Sequence, residues 1–233
     1  MTLDNSTAPP RIRSFVRRKG RVTPGQHFAL EHHAPLYCLD FKKEILDVDA
    51  VFGRQAPLIV EIGFGNGESL AKMAADHPEI NYLGIEVHRA GVGHLLMLIE
   101  ARQLTNVRIY CHDAIEVLEQ CVQDSSLSGV HLFFPDPWHK KKHHKRRIVR
   151  ESFLALLARK LAPTGYFHAA TDWEHYAEWM LDLFTHTPAF CNLSPTKTYC
   201  ERPAYRPLTK FEQRGIRLGH GVWDVMFAKK PID

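Results

Sequence analysis

From residue 58 to 77 the chain reads Leu-Ile-Val-Glu-Ile-Gly-Phe-Gly-Asn-Gly-Glu-Ser-Leu-Ala-Lys-Met-Ala-Ala-Asp-His. An apolar run, a turn with glycine at 63, 65 and 67, and a helix-like segment follow one another within twenty residues. A strand, a glycine turn and a helix in that order form a cradle for a nucleotide-like group, because glycine lets the backbone turn sharply and approach the ligand. A dinucleotide fingerprint would place its third glycine at 68, where this chain has Glu68. A carboxylate there is a poor neighbour for a pyrophosphate. It suits a cofactor with a positive centre and no phosphate, a description that S-adenosylmethionine fits. The competing reading is a tight turn that binds nothing.

The rest of the chain extends the pattern. Apolar runs at 57–62, 80–86, 107–111, 130–134 and 165–170 alternate with helix-like segments at 68–76, 89–103, 114–122, 147–161 and 173–185. Such alternation predicts a doubly wound α/β fold, a parallel sheet with helices on both faces. Pro163-Thr164-Gly165 reads as a turn before the fifth strand. Runs at 190–194 and 222–229 read as an antiparallel hairpin at the sheet edge, giving seven strands. Residues 26–50 read as a weakly helical lead-in. Residues 1–25 are polar, basic and interrupted by Pro and Gly, and are expected to be a mobile arm on a single domain spanning 26–233. The segment 195–220 is long for a passive loop.

Charge narrows the partner. Residues 11–21 and 137–150 hold thirteen of the thirty Lys and Arg and no acid, whereas the remainder carries 17 bases against 26 acids. Two concentrated basic segments on an acidic body point to a polyanion, with a solvated surface as the plainer alternative. No apolar stretch approaches membrane-spanning length and no signal sequence is visible. The five cysteines are dispersed, without a CxxC, as expected for reduced thiols in the cytoplasm. His139, His143 and His144 lie among cations with no carboxylate or thiol nearby in sequence, so no metal is expected.

Acids fall at the carboxyl ends of the expected strands, the rim where open α/β sheets bind ligands. They are Glu61, Glu86, Asp113, Asp136 and Asp172. Glu86 lies nineteen residues beyond Gly67, where a carboxylate accepts from a ribose diol. Asp113 could accept from an adenine amino group or could cap the next helix. Asp136 sits between Pro135 and Pro137, ahead of Trp138 and the basic run from Lys140. Prolines stiffen the backbone around an acid that must be positioned. Trp138 offers a stacking surface and the lysines can hold phosphates, though a structural turn beside a solvated loop would look the same.

The segments EIGFGNGESL, GIEVHRAGVGHLL, FFPDPWHKKKHHKRR, TDWEHYAEWM and RPLTKFEQRG, in this order, resemble the bacterial tRNA (guanine-N7-)-methyltransferases, and RSFVRRKGRVTPGQ at 13–26 resembles the family's basic arm. The resemblance implies a class I methyltransferase fold and methyl transfer from S-adenosyl-L-methionine to N7 of a guanosine in the tRNA variable loop. By motif, Glu61, Gly63, Gly65, Gly67, Glu86, Asp113 and Asp136 fall at cofactor-binding positions, with Asp136 also catalytic. Lys140, Asp172, Thr209, Lys210, Phe211 and Glu212 fall at substrate-binding positions. Lys142, His143, His144, Lys145, Arg146 and Arg147 fall at RNA-contacting ones. The expected partner is tRNA, with no membrane, for a cytoplasmic monomer or homodimer. Two rivals remain. An adenine-N6 methyltransferase would want two prolines between acid and aromatic, where this chain has only Pro137. A non-catalytic RNA-binding subunit would have lost glycines or rim acids.

Overall fold

A computed structural model describes residues 12–16, 20–209, 212–213, 219 and 221–231. Eight strands form one sheet in the order β1-β4-β3-β2-β5-β6-β8-β7. The central strands are β2 (Leu58–Ile62), β3 (Asn81–Ile85), β4 (Val107–Tyr110) and β5 (Leu127–Phe133), all parallel. They are linked by α4 (Glu68–Asp76), α5 (Arg89–Arg102) and α6 (Ala114–Gln120). Then follow a 3-10 turn at Lys141–Arg146, α7 (Glu151–Lys160), β6 (Leu161–Thr171), α8 (Glu174–Thr185), β7 (Phe190–Asn192) and β8 (Trp223–Lys229). β8 runs antiparallel to both β6 and β7, the expected edge hairpin.

The alternation follows from burial. β2 and β3 are buried along their whole length, which is why they read as unbroken apolar runs. Val60, Ile62 and Leu83 pack with α6, α7 and α8 on one face of the sheet. Ile59, Phe64 and Tyr82 pack with α4 and α5 on the other. Helix α1 (Pro24–His32) lies against α5, closed at its start by a capping box between Thr23 and Gln26, and two short helices, α2 (Ala34–Tyr37) and α3 (Val48–Phe52), follow it before β2.

Three details differ from the sequence pattern. The eighth strand, β1 (Cys38–Leu39), adds two residues in parallel to β4 and is too short to leave a periodic signal. Pro163-Thr164-Gly165 does not precede β6 but bulges out of it, with Thr164 at φ 64° and the register jumping from Leu127↔Leu161 to Gly129↔Tyr166. Helix α7 starts at Glu151, four residues later than its pattern, because the chain leaves the 3-10 turn in extended backbone, with ψ of 134° at Arg147 and 167° at Arg150.

The strand order fixes where a ligand can sit. Successive parallel strands step outward from β2 in one direction through β3 and β4, and in the other through β5 and β6. The direction reverses between β2 and β5, and open α/β sheets bind ligands in the crevice outside such a point. The loops leaving those two strands are the glycine turn and the turn carrying Asp136.

Candidate active site

The glycine turn is held by main-chain bonds. Gly63, Gly65 and Gly67 have φ of 70°, 60° and 77°, left-handed values that a side chain would strain. Gly63 N–H donates to the Ile85 carbonyl (2.7 Å) and Gly67 N–H to that of Phe64 (2.9 Å). Glu86 closes the turn from the next strand. Its carboxylate accepts from the N–H groups of Gly65 (3.0 Å), Val87 (2.7 Å) and His88 (3.0 Å). A Cβ on Gly91 would lie 2.0 Å from the Gly65 carbonyl oxygen, so glycine lets α5 close against the turn. Together Ile62, Gly63, Glu86, His112 and Leu132 line a cleft that reaches Asp136.

Glu61 sits beneath this cleft at 2% exposure, and its Oε2 has no hydrogen-bond partner among the described residues. Burial first, and the neighbouring Glu86 second, push its pKa up to about 8. An unmet buried carboxylate under a glycine cradle fits a cationic ligand. S-adenosylmethionine carries a sulfonium and an ammonium. Asp113 is buried and caps α6, accepting from Ile115 N–H (3.0 Å), while its neighbours His112 and Ala114 line the cleft.

Asp136 is exposed at the tip of a turn that long-range contacts hold in place. Phe134 and Trp138 flank it with φ of 51° and 49°, costly for non-glycine residues and sustained only where the surroundings impose them. The Trp138 indole donates to the Ser14 carbonyl (3.2 Å), and the Arg146 guanidinium lies 4.2 Å from its ring centroid. The arm residues 12–16 therefore rest against the site, and Ser14 and Phe15 line the first cleft. Trp138, expected as a stacking surface for a base, carries Arg146 over its ring.

Arg147 also departs from the sequence reading. It is 3% exposed, donates to the Pro137 carbonyl (2.9 Å) and lies over Tyr176 (4.7 Å) and Trp179 (5.4 Å). It braces the turn from inside and faces no solvent-borne phosphate. Lys140, Lys141, Lys142 and Lys145 are exposed, while His143, His144 and Arg146 are half-buried.

A second cleft opens on the other side of Asp136, lined by Asp172, Trp173, His139, Gly221 and Trp223. His139 meets the Trp173 ring edge-on, centroids 4.1 Å apart. Thr209 accepts from Glu212 N–H (3.1 Å), and Glu212 is buried against Arg206. Lys210 and Phe211 lie outside the described residues.

Comparison with known proteins gives the family and the fold. A family model described as "Putative methyltransferase" matches residues 55–225. The tRNA (guanine-N(7)-)-methyltransferase of Cronobacter sakazakii is 55% identical over 97% of this chain and 95% of its own length. That of Sodalis glossinidius is 58% identical over 94% and 92%. This chain belongs to the tRNA (guanine-N7-)-methyltransferase family. Solved structures give the fold independently of sequence. The 16S rRNA methyltransferase KamB superposes with a TM-score of 0.55 at 15% identity, covering 81% of this chain and 95% of its own. The antibiotic-resistance methyltransferase Kmr gives 0.54 at 16%, covering 84% and 96%.

In this tRNA (guanine-N7-)-methyltransferase family member, sequence reasoning passed over Trp173, Trp223, Arg206 and the buried pair His131 and His168. Polar residues inside the apolar runs of β5 and β6 were the available signal for the histidines. Their partners come from distant segments, so nothing local revealed their role. Among the described residues no helix is long and apolar enough to cross a membrane.

Proposed function

We infer that this chain transfers a methyl group from S-adenosylmethionine to N7 of a guanosine in tRNA, with the variable loop as the target region. The observation that carries this reading is the place of Asp136. It lines both the cleft formed by the glycine turn and Glu86 and the cleft formed by Asp172, Trp173 and Trp223. One acid therefore stands where a methyl donor and an acceptor base would meet.

When bound, the cofactor supplies an electrophilic methyl group on a sulfonium. Glu86 and the glycine turn are placed to hold its ribose, Asp113 with its neighbours to border the adenine, and Glu61 to meet positive charge. Guanine N7 already presents an in-plane lone pair, so no proton need be removed before attack. The protein's contribution is chiefly alignment, worth up to roughly 7–11 kcal/mol in ideal cases. As N7 bonds the methyl carbon, the methyl–sulfur bond would break and release a neutral thioether, so the positive charge passes to the base; the Asp136 carboxylate would favour that charge while accepting from the guanine N1–H or N2 amino edge. Trp173 and Trp223 offer flat surfaces for the ring. Lys140, Lys141, Lys142 and Lys145 hold phosphates, and the basic arm through Ser14 and Phe15 extends this contact across the site. Such an enzyme works in the cytoplasm, where tRNA is present.

Incubation of the full chain with tritiated S-adenosylmethionine and bulk tRNA, followed by nucleoside analysis, tests the reading. The expected labelled product is 7-methylguanosine. N6-methyladenosine as the product, or no transfer from a folded protein that binds the cofactor, would overturn it.

A further inference from the structure

A buried polar network crosses the sheet, and its members His131, His168, Tyr205, Arg206 and Asp224 have no role in the motif reading. Glu61, His131 and His168 occupy one row across β2, β5 and β6, each paired in register with the next. The segment around Tyr205 covers this part of the sheet, and the Tyr205 ring stacks on His131 with centroids 5.5 Å apart. Tyr205 and His168 Nδ1 are 2.8 Å apart, and His168 Nε2 lies 2.7 Å from Asp224 Oδ1. Burial lowers the pKa of His168 and raises that of Tyr205. The consistent assignment has the Tyr205 hydroxyl donating to a neutral His168, whose Nε2–H donates to Asp224.

Arg206 completes the network at 1% exposure. Its Nε and Nη2 donate to the two oxygens of Asp224 (2.6 and 2.9 Å). Its Nη1 and Nη2 donate to the two oxygens of Glu212 (2.7 and 2.8 Å). Four of the five guanidinium N–H donors are thus committed to two forked carboxylate pairs. Asp224 belongs to β8 and is fixed by the sheet. Glu212 lies six residues further along the chain, so the pair ties these two positions together. The Arg206 guanidinium also lies 5.9 Å from the ring centroid of Phe133 and 5.8 Å from that of Phe134, just ahead of Pro135 and Asp136.

We propose that Arg206, anchored on Asp224, is a positioning residue that holds Glu212, and with it Thr209, relative to the Asp136 turn. The inference rests on the methyltransferase reading and deepens it. Each Glu212 oxygen accepts one hydrogen bond from the guanidinium, and the residue is 3% exposed. The Thr209 hydroxyl receives the Glu212 N–H. Phe133 and Phe134, Glu212 and Asp224, distant in sequence, thus meet around one cation.

A double-mutant cycle on the full-length enzyme tests this, using Arg206→Lys, Glu212→Gln and the pair. Lysine keeps the charge but cannot form two forks. Each single variant is expected to lower kcat at saturating tRNA about tenfold or more, and the double to be no worse than the poorer single, because one interaction is removed in all three. Cofactor affinity by calorimetry should change less than about threefold, a split that simple loss of fold would not give. Amide exchange in the 207–213 segment of the free protein should quicken about tenfold in each. Tyr205→Phe, which removes one hydroxyl and keeps the packing, should give a smaller shift in the same direction and covers the case in which an Arg206 variant fails to fold. Additive losses in the cycle, or loss of methylation by Glu212→Gln with exchange in this segment unchanged, would show that Glu212 acts apart from Arg206 and would overturn the proposal. So would unchanged loop exchange and kcat in Tyr205→Phe. The exchange measurement requires no substrate. A wild-type product other than 7-methylguanosine would therefore overturn the functional reading while leaving the clamp standing.

Discussion

The two sides of the site are built differently. On the cofactor side, the glycine turn is fixed by main-chain hydrogen bonds to Ile85 and Phe64 and by one carboxylate, Glu86, from the adjacent strand. Its conformation is written in three glycines and needs few distant partners. On the target side, the Asp136 turn and the loop beyond Arg206 are held by side chains that reach across the molecule. Trp138 reaches Ser14, Arg147 reaches Tyr176 and Trp179, and Arg206 reaches Asp224. A small, invariant ligand can be met by a preset backbone. A folded RNA presents a larger and more varied surface, and the side that meets it is assembled from segments whose relative placement depends on tertiary contacts.

The largest expected effect probes Glu61 on the cofactor side, whose Oε2 is unmet among the described residues. Glu61 keeps its proton to about pH 8 in the folded protein but releases it near its ordinary value of 4.5 when unfolded. Between those values the folded state holds more protons, so this group makes stability fall as pH rises from about 4.5 to about 8 and level off above. Glu61→Gln removes that slope and should leave the free protein more stable than the native chain at pH 9, by on the order of several kcal/mol, with little difference at pH 4.5. Urea unfolding at pH 4.5, 7 and 9 measures it. Parallel pH dependences in the two proteins would mean that Glu61 is already ionised and satisfied. The same substitution should weaken cofactor binding, because the partner for its positive charge is gone.

A reciprocal pair comes next. Asp136→Ala should reduce turnover at least about a hundredfold, as removing one group aimed at developing charge commonly does. Cofactor affinity should fall far less. Glu86→Ala should do the reverse, weakening cofactor binding by roughly 1.5–3 kcal/mol through loss of charge-assisted bonds. Calorimetry with the cofactor and saturation kinetics with tRNA separate the two. Equal losses of affinity in both variants would erase the distinction between the two sides.

The smallest effect divides the basic loop itself. Neutralising Lys141, Lys142 and Lys145 to Gln should flatten the slope of log K for tRNA against log salt by roughly 0.7–0.9 for each phosphate that is no longer neutralised, with thermal stability unchanged. Arg147→Gln should leave the salt slope alone and cost about 1–3 kcal/mol of stability, since it gives up a buried hydrogen bond and two aromatic faces. A change of salt slope in Arg147→Gln would show that its guanidinium reaches RNA after all.

The sequence by itself determined the central sheet, the glycine turn and the rim of acids. Burial on both faces of β2 and β3 calls for unbroken apolar runs, left-handed backbone favours glycine, and the acids stand at fixed places in the alternation, at the strand ends. Each of these is a local requirement that leaves a local pattern. The two-residue strand β1 was too short to leave one, and the bulge at Pro163-Thr164-Gly165 reads as a turn because the backbone departs from the ladder there. Only the tertiary structure decided which cations face solvent and which are braces. Arg146 and Arg147 stand beside Lys145 in one basic run, but Arg147 is buried beneath Trp179 and Tyr176 while Lys145 is exposed. It also decided that Asp136 touches two clefts and that Arg206 joins Glu212 to Asp224. Burial and pairing across the sheet depend on which distant residues the fold brings within reach, and adjacency along the chain does not encode that.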